Sequence, residues 1–385
     1  MQKPLEGVRM LDLTHMLSGP YGAMILSDLG MDTVKVEPPV SGEGTRRLLE
    51  KDPANSIDGM GAYFFTLNRN KRSVVLDLKS EEGLQQFYEL VSVADVVMNN
   101  FSAGVTKKLK IDFDSLAKIN PRIITCTVTG FGETGPAFQR PAFDQIAQAL
   151  GGGMSITGKD PEDVIRAGIP IGDLGGGMFA VMGILAALNA RHTTGRGQHV
   201  DISMLDCQIS MLNYMATMVS MSGEIPKPLG NSHFVHVPYN TFSTKTDMIV
   251  IACVAENFWP VLVDLLDDDS LRDPSFEFAP GRLKQKAFIE ERINMALQQQ
   301  DADYWLAKLE EGRIPCARVN NIAQAMEDPQ VLARNMIINL QHPVNGSARV
   351  PGNPIKLSET NAETFTSPPL LGAHNEEVWR DWLGK

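Results

Sequence analysis

The sequence predicts an α/β protein, with a large Rossmann-like parallel-sheet domain and a smaller α+β domain. Three observations carry that expectation. The chain has 385 residues, more than one ordinary core serves, so two domains or one elaborated domain is expected. Its first two hundred residues alternate short β-branched runs with helical stretches, the pattern of a parallel sheet covered on both faces. Near Met221 the alternation gives way to a loop-rich stretch and then to a mostly helical segment.

Strands are expected at 8–13 (VRMLDL), 32–37 (DTVKVE), 73–78 (SVVLDL), 95–100 (DVVMNN) and 122–130 (RIITCTVTG), because β-branched residues suit a pleated, buried surface. Residues 19–30, 80–94 and 113–120 between them have helical character. A further strand at 198–205 feeds a methionine-rich helix over 206–221. Beyond the loop-rich SGEIPKPLGNSHFVHVPYNTF, a strand is expected at 248–253, and residues 254–326 read as mostly helical. Residues 313–335 give a strand–loop–helix pattern, and the tail has turns and short strands. Domain boundaries fall near 225 and 330.

Composition narrows the function. With 43% hydrophobic and 21% charged residues the chain is globular rather than disordered. A formal net charge of -11 argues against nucleic acid and anionic membrane as partners. Cys126, Cys207, Cys253 and Cys316 lie far apart without a C-x-x-C pair, which is neither a disulfide framework nor a zinc site and fits a reducing compartment. The first residues lack the apolar core of a signal peptide, and no segment reaches the length of a membrane span. A soluble, cytoplasmic, bacterial-type enzyme is expected. There is no Walker-type loop, no H-E-x-x-H and no G-x-S-x-G; Gly19, Gly22 and Gly30 after the first strand have the wrong spacing for a dinucleotide fingerprint. His233 and His236, three apart, are either a metal pair or two loop histidines.

What remains is one carboxylate. The stretch AGIPIGDLGGGMFAVMGILAALNA (167–190) contains a single charged residue, Asp173. One reading makes it a helix N-cap, contributing on the order of 1 kcal/mol. The other makes it a nucleophile. Gly175, Gly176 and Gly177 follow it although glycine costs up to about 1 kcal/mol inside a helix, which suggests that something bulky approaches the backbone. The apolar GIPIG before it would desolvate the carboxylate, and the free N–H groups of a helix start would stabilise an oxyanion beside it. That combination suits acyl transfer.

Eight stretches in register resemble the class III CoA-transferases, the group of formyl-CoA transferase and of acetyl-CoA:oxalate, succinyl-CoA:glutarate and carnitine CoA-transferases. They are LDLTHMLSGPYGAMILSDLGMDTVKVEPP, LNRNKRSVVLDLKS, NNFSAGV, TGFGETGP, GIPIGDLGGGMFAVMGILAAL, TGRGQHVDISMLD, IPCARVNNIAQAMEDPQVLARNM and PLLGAHNEEV. The resemblance implies that Asp173 is the catalytic residue, attacking an acyl-CoA thioester to form a mixed anhydride and then an aspartyl-CoA thioester. It implies CoA contacts from Leu17 and Ser18, from Asn68, Arg69, Asn70 and Lys71, from Asn100 and Phe101, and from Lys108. Phe143 and Asp144 would lie near the acyl group, Asp144 either orienting the acceptor or capping its own helix. Lys35, Arg69, Arg72 and Lys107 would complete a positive zone around Lys71 and Lys108. The resemblance further implies an interlocked homodimer, in which residues 1–225 form the first part of the large CoA-binding domain, 226–325 the small domain, and 326–385 a segment returning to the large one. Its reaction uses a CoA thioester as substrate and needs neither ATP, a permanently bound cofactor nor metal. Two departures stand out. Pro38-Pro39 replaces an arginine of formyl-CoA transferase, and LGNSHFVHVPY (229–239) replaces a glycine-rich loop.

A racemase acting on α-methylacyl-CoA would share the fold but needs two acid–base groups; Phe143 stands where its histidine would be. A CoA-binding protein without catalysis is the other alternative, and the intact Asp173 with its glycines argues against it. Polar or adaptable groups at His15, Met16, Asn231, His233, His236 and Tyr239 point to a small dicarboxylate acceptor such as oxalate, succinate, glutarate, malate or a C5 unsaturated diacid, with formate left open.

Overall fold

The computed structural model describes residues 3–360 and 363–385, which fall into two compact units. Unit 1 holds the described residues up to Met154, Arg166–Glu224 and Gln330–Lys385; unit 2 holds Ser155–Ile165 and Ile225–Pro329. The short piece 155–165 was expected in the first part of the chain and instead clusters with unit 2.

Unit 1 is organised by a six-stranded, all-parallel sheet of β1 (Arg9–Asp12), β2 (Asp32–Glu37), β5 (Lys71–Val75), β6 (Val96–Asn99), β7 (Ile124–Thr129) and β8 (His199–Ser203). Two-residue strands β3 (Ser56–Ile57) and β4 (Met60–Gly61) form a separate ribbon. The sheet order β5-β2-β1-β6-β7-β8 is 3-2-1-4-5-6 counted along its own strands, the doubly wound order. Side chains alternate across it as the pleat requires. Met10, Val96, Met98, Ile124 and Cys126 enter one core with α1 (Ser18–Asp28) and α7 (Ile171–Thr194). Leu11, Val34, Val74 and Val97 enter the opposite core with α3 (Glu81–Val91) and the last helix, α16 (Asn375–Leu383). Helix α3 shows why these segments become helices: Ser80 caps it by accepting from Gly83 N, two glutamates occupy its first turn, and Phe87, Leu90 and Val91 bury one stripe. Trp382 and Val378 of α16 are buried, and Arg72 ties that helix down through Glu377, Asp381 and Asp32.

Helix α7 runs 24 residues, so it is long and apolar enough by composition to cross a membrane, which corrects the expectation that no segment reaches that length. Half of its most apolar window is buried, against α1, β7 and α8 (Met204–Leu212). The helix expected over 206–221 is two helices, α8 and α9 (Tyr214–Ser222), broken at Asn213, whose φ of 49° no helix can hold.

Unit 2 contains the antiparallel sheet β11-β10-β9, formed by β9 (Tyr239–Ser243), β10 (Met248–Ala252) and β11 (Cys316–Arg318). Ile249 and Ile251 of β10 pack with Trp259, Leu262, Ile293 and Trp305 from surrounding helices. An α+β arrangement results.

Candidate active site

In a doubly wound sheet the crevice opens where the strand order reverses, at the carboxyl ends of the two central strands. Here those strands are β1 and β6. The loops that leave them clasp each other: Asn100 Oδ1 accepts from His15 N at 2.8 Å, and Asn100 Nδ2 donates to the His15 carbonyl at 2.7 Å. The His15 ring tilts against Phe101 at 5.4 Å. The structure therefore brings Leu17, Ser18, Asn100 and Phe101 to one place. Burial, reinforced by the Lys35 charge, lowers the His15 pKa to about 4, so the ring is neutral at physiological pH. The Ser18 hydroxyl at the start of α1 is buried and has no hydrogen-bond partner among the described residues.

Asp173 stands beside this crossing. It is the third residue of α7, whose N-cap is Pro170, so the N-cap reading of Asp173 is corrected. The cap is supplied from outside the helix. Asp144 Oδ1 accepts from Gly172 N at 2.8 Å and from Asp173 N at 3.3 Å, satisfying two of the orphan N–H groups of the helix start. Asp144 therefore does not cap its own helix, α6 (Asp144–Leu150), whose N-cap position is Phe143. Phe143 itself is 69% exposed. The Asp173 carboxylate is left without a hydrogen bond among the described residues. Burial, and then the charge of Asp144, raises its pKa to about 6.

The three glycines after Asp173 serve packing: what comes close to the backbone there is the protein's own chain. A Cβ on Gly176 would stand 2.6 Å from Ser18 Oγ, and one on Gly177 2.6 Å from the Ser18 carbonyl; one on Gly175 would meet Met211 at 2.7 Å. On the partner helix, a Cβ on Gly22 would lie 2.8 Å from the Gly177 carbonyl. The residues 173, 176 and 177 share one helical stripe, so the close crossing that the glycines permit sets Asp173 against the N-terminal end of α1.

Of the NRNK stretch, Asn68, Arg69 and Lys71 are buried and Asn70 is half-buried. Lys71 Nζ donates to Asp12 Oδ2 at 2.9 Å and to Asn68 Oδ1 at 3.1 Å, with burial lowering its pKa to about 8. Arg69 holds Asp28 through two nitrogens and donates to the Pro351 carbonyl. Asn70, at φ 59°, donates to Asp28 and accepts from Thr366 N. Lys35 lies buried against Asp12 and the Thr14 carbonyl. The expected positive zone is thus mostly neutralised inside the protein, because each of these cations has a carboxylate within reach. Lys107 and Lys108, on the short α4 (Val105–Lys108), remain exposed.

In unit 2 the His233 ring lies 4.8 Å from His236 and 5.2 Å from Tyr239, and its Nδ1 accepts from the backbone of Val235 and His236. Those contacts engage one nitrogen in a turn, as a loop histidine does. Three residues outside the sequence reading belong to the site. Tyr63 is half-buried and has its pKa raised by burial and then by Asp173, Glu43 and Asp144, which places these acids within electrostatic reach of one phenol. Glu43 is buried, with Oε1 unpaired among the described residues and its pKa raised by burial. Gln148 sits one turn beyond Asp144. The Asp144/Gln148 spacing was a legible signal, whereas nothing local marks Glu43.

The chain matches the model of CoA-transferase family III over residues 5–375. It is 37% identical to the acetyl-CoA:oxalate CoA-transferase of Acetobacter aceti, an alignment covering 92% of this chain and 89% of that protein. It is 31% identical to the human succinyl-CoA:glutarate CoA-transferase, covering 99% of this chain and 86% of that protein. The crystal structure of a CaiB/BaiF family protein from Brucella suis superimposes with a TM-score of 0.90 at 33% identity, covering 99% of this chain and 100% of that one.

Proposed function

The chain belongs to CoA-transferase family III, and from that premise we propose that it moves CoA from succinyl-CoA or acetyl-CoA to a small dicarboxylate through covalent intermediates on Asp173. One observation carries the reading. Beside the crevice stands a carboxylate that is desolvated, has no hydrogen bond among the described residues, and lies next to the start of α1, which no side chain among the described residues caps.

In the proposed cycle an Asp173 carboxylate oxygen attacks the donor thioester carbonyl. The C–S bond breaks, CoA leaves as thiolate, and a mixed anhydride joins Asp173 to the donor acyl group. The thiolate then attacks the Asp173 carbonyl carbon, expelling the donor carboxylate and forming an aspartyl-CoA thioester. The acceptor carboxylate attacks that thioester, releasing the thiolate and forming a second anhydride, and the thiolate takes the acceptor acyl group and frees Asp173. A pKa of about 6 suits this role: the carboxylate is ionised at neutral pH yet poorly solvated, so it is more basic than an ordinary aspartate. In this reading the Ser18 hydroxyl, without a partner among the described residues, and the side-chain-uncapped N-terminal end of α1 receive the developing oxyanion charge. CoA is held by the clasped loops at Leu17, Ser18, Asn100 and Phe101, with the exposed Lys108 next to phosphate; the Asn68–Lys71 network supports the loop after β1 from below. The dicarboxylate acceptor rests on the substrates named for the oxalate and glutarate relatives.

A homodimer, interlocked as the resemblance implies, belongs to the same reading. Ile146 and Leu150 of α6, Met182 of α7, and Tyr214 and Met221 of α9 are exposed apolar residues that a second chain would cover. A cytoplasmic location, consistent with four free cysteines, completes it.

The test incubates the protein with succinyl-CoA or acetyl-CoA and a panel of mono- and dicarboxylates, without ATP or metal, and identifies new CoA esters by mass spectrometry. Wild type is expected to make an acyl-CoA of one dicarboxylate and Asp173→Ala to make none. Equal exchange by both proteins would defeat the role of Asp173.

A further inference from the structure

Helix α6 carries two polar side chains, Asp144 and Gln148, four residues apart and so on one face. Both reach across to the segment that leads into α7. Gln148, 2% exposed, accepts from Ala167 N through Oε1 at 2.9 Å and donates through Nε2 to Asp144 Oδ2 at 2.7 Å. Asp144 in turn uses Oδ1 to hold Gly172 N and Asp173 N. We propose that Asp144 and Gln148 act as one clamp that fixes the backbone of Asp173, making them positioning residues for the transfer reaction and not contacts to the acceptor. The proposal rests on the reading of Asp173 as nucleophile.

The hydrogen bonding leaves little room for a substrate role. Both Asp144 oxygens are engaged, Oδ1 by two backbone N–H groups and Oδ2 by an amide whose other end is itself anchored. Gln148 acts as both donor and acceptor in a chain of contacts that runs from Ala167 through α6 to residue 173. The clamp also does something an apolar brace could not. The N-terminal end of α7 carries partial positive charge that would stabilise an aspartate in the first turn. Asp144 takes up that charge and faces Asp173 with a like charge of its own, so the nucleophile keeps its basicity. Among the described residues the other titratable group that feels the Asp173 charge is Tyr63, from α2 (Ala62–Leu67), and it does not hydrogen bond to Asp173.

The chemistry of the clamp supplies its own rescue. In Asp144→Asn the Oδ1 acceptor is kept, but Nδ2 then faces the Nε2 donor of Gln148, and the negative charge is gone. Adding Gln148→Glu restores an acceptor for Nδ2 and still accepts from Ala167 N, while moving the charge one turn away from Asp173. The experiment measures kcat, KM for succinyl-CoA and for the acceptor found in the panel, and the acid limb of kcat/KM, in wild type, Asp144→Asn, Gln148→Glu, the double variant and Asp173→Asn. Asp144→Asn is expected to lose about 10- to 100-fold in kcat, with both KM values within about twofold, as misplacement of a reacting group does. Its acid limb moves to lower pH, because the like charge beside Asp173 is removed. The double variant is expected to regain most of kcat while its acid limb stays low. A rise confined to the acceptor KM would make Asp144 a substrate contact and overturn the proposal, as would unchanged kcat and acid limb in Asp144→Asn. A double variant no better than the product of its singles would show that the two residues do not act as one clamp. Turnover by Asp173→Asn would instead remove the nucleophile reading itself, and the clamp with it.

Discussion

Two aspartates in unit 1 meet burial in opposite ways. Asp12, at the end of β1, is fully buried; burial pushes its pKa up, but the Lys35 and Lys71 ammonium groups and the Thr14 hydroxyl more than reverse this and hold it well below the carboxylate range. Asp173 is less buried, yet burial, and then the like charge of Asp144, raises its pKa to about 6. Desolvation acts on both. What differs is compensation: a carboxylate surrounded by donors is a structural part, and one left without them keeps its lone pairs for chemistry.

Four substitutions and one titration press on that contrast. The largest effect is expected from Asp173→Asn, which removes the nucleophile and should lower turnover by at least about 10³-fold. The same change should leave stability unharmed or raise it near pH 8: a carboxylate with a raised folded pKa destabilises the fold above its unfolded value, so removing it relieves that cost. Chemical denaturation reads this out, and a large loss of stability would make Asp173 structural after all. Lys71→Met is the mirror case. It leaves Asp12 buried with only Lys35, at 3.7 Å, and should cost about 3–5 kcal/mol of unfolding free energy. A mild effect in the melt would show that the Asp12 network is less exacting than its burial implies.

The titration comes next in size. Lowering pH from 7 to 5 carries Asp173 through about 6 while Asp12 stays ionised, so kcat/KM should fall about tenfold per unit below 6 with the fold unchanged. The stabilities run the opposite way. Asp12 contributes stability that is present above its unfolded value and lost only in strong acid, whereas protonation of Asp173 favours the fold as pH falls. Loss of circular dichroism in step with activity would contradict this separation. Gly177→Ala tests the crossing that aims Asp173: with a Cβ 2.6 Å from the Ser18 carbonyl, about 1–3 kcal/mol of destabilisation is expected in the melt, together with reduced kcat. Smallest is Lys108→Ala. An exposed lysine next to phosphate is worth less than about 1 kcal/mol, so KM for acyl-CoA should rise about two- to fivefold with kcat unchanged.

How much of this the residues disclose follows from how local each cause is. The six strands were legible because β-branched runs are a local signal, and β2 runs over Asp32–Glu37, the span expected. Asp173 was legible as the lone charge in an apolar run. The glycines after it announced a close approach to the backbone, and only the fold says that α1 and Met211 make it. Lys71 was read as a CoA contact and not as the partner of Asp12, which is 59 residues away, and Asp144 caps a helix that begins 27 residues after it. Pairings of that range belong to topology. The break at Asn213 is of another kind, a single backbone conformation that composition does not announce.

The central claim is that Asp173 carries the acyl group and then CoA. It is tested most directly by incubating wild type with succinyl-CoA, quenching in acid, digesting and locating the modified residue by mass spectrometry. A CoA thioester on the peptide that contains Asp173, absent from Asp173→Asn and discharged when the dicarboxylate acceptor is added, is the predicted result. Turnover without any adduct at Asp173, or an adduct on another residue, would contradict it.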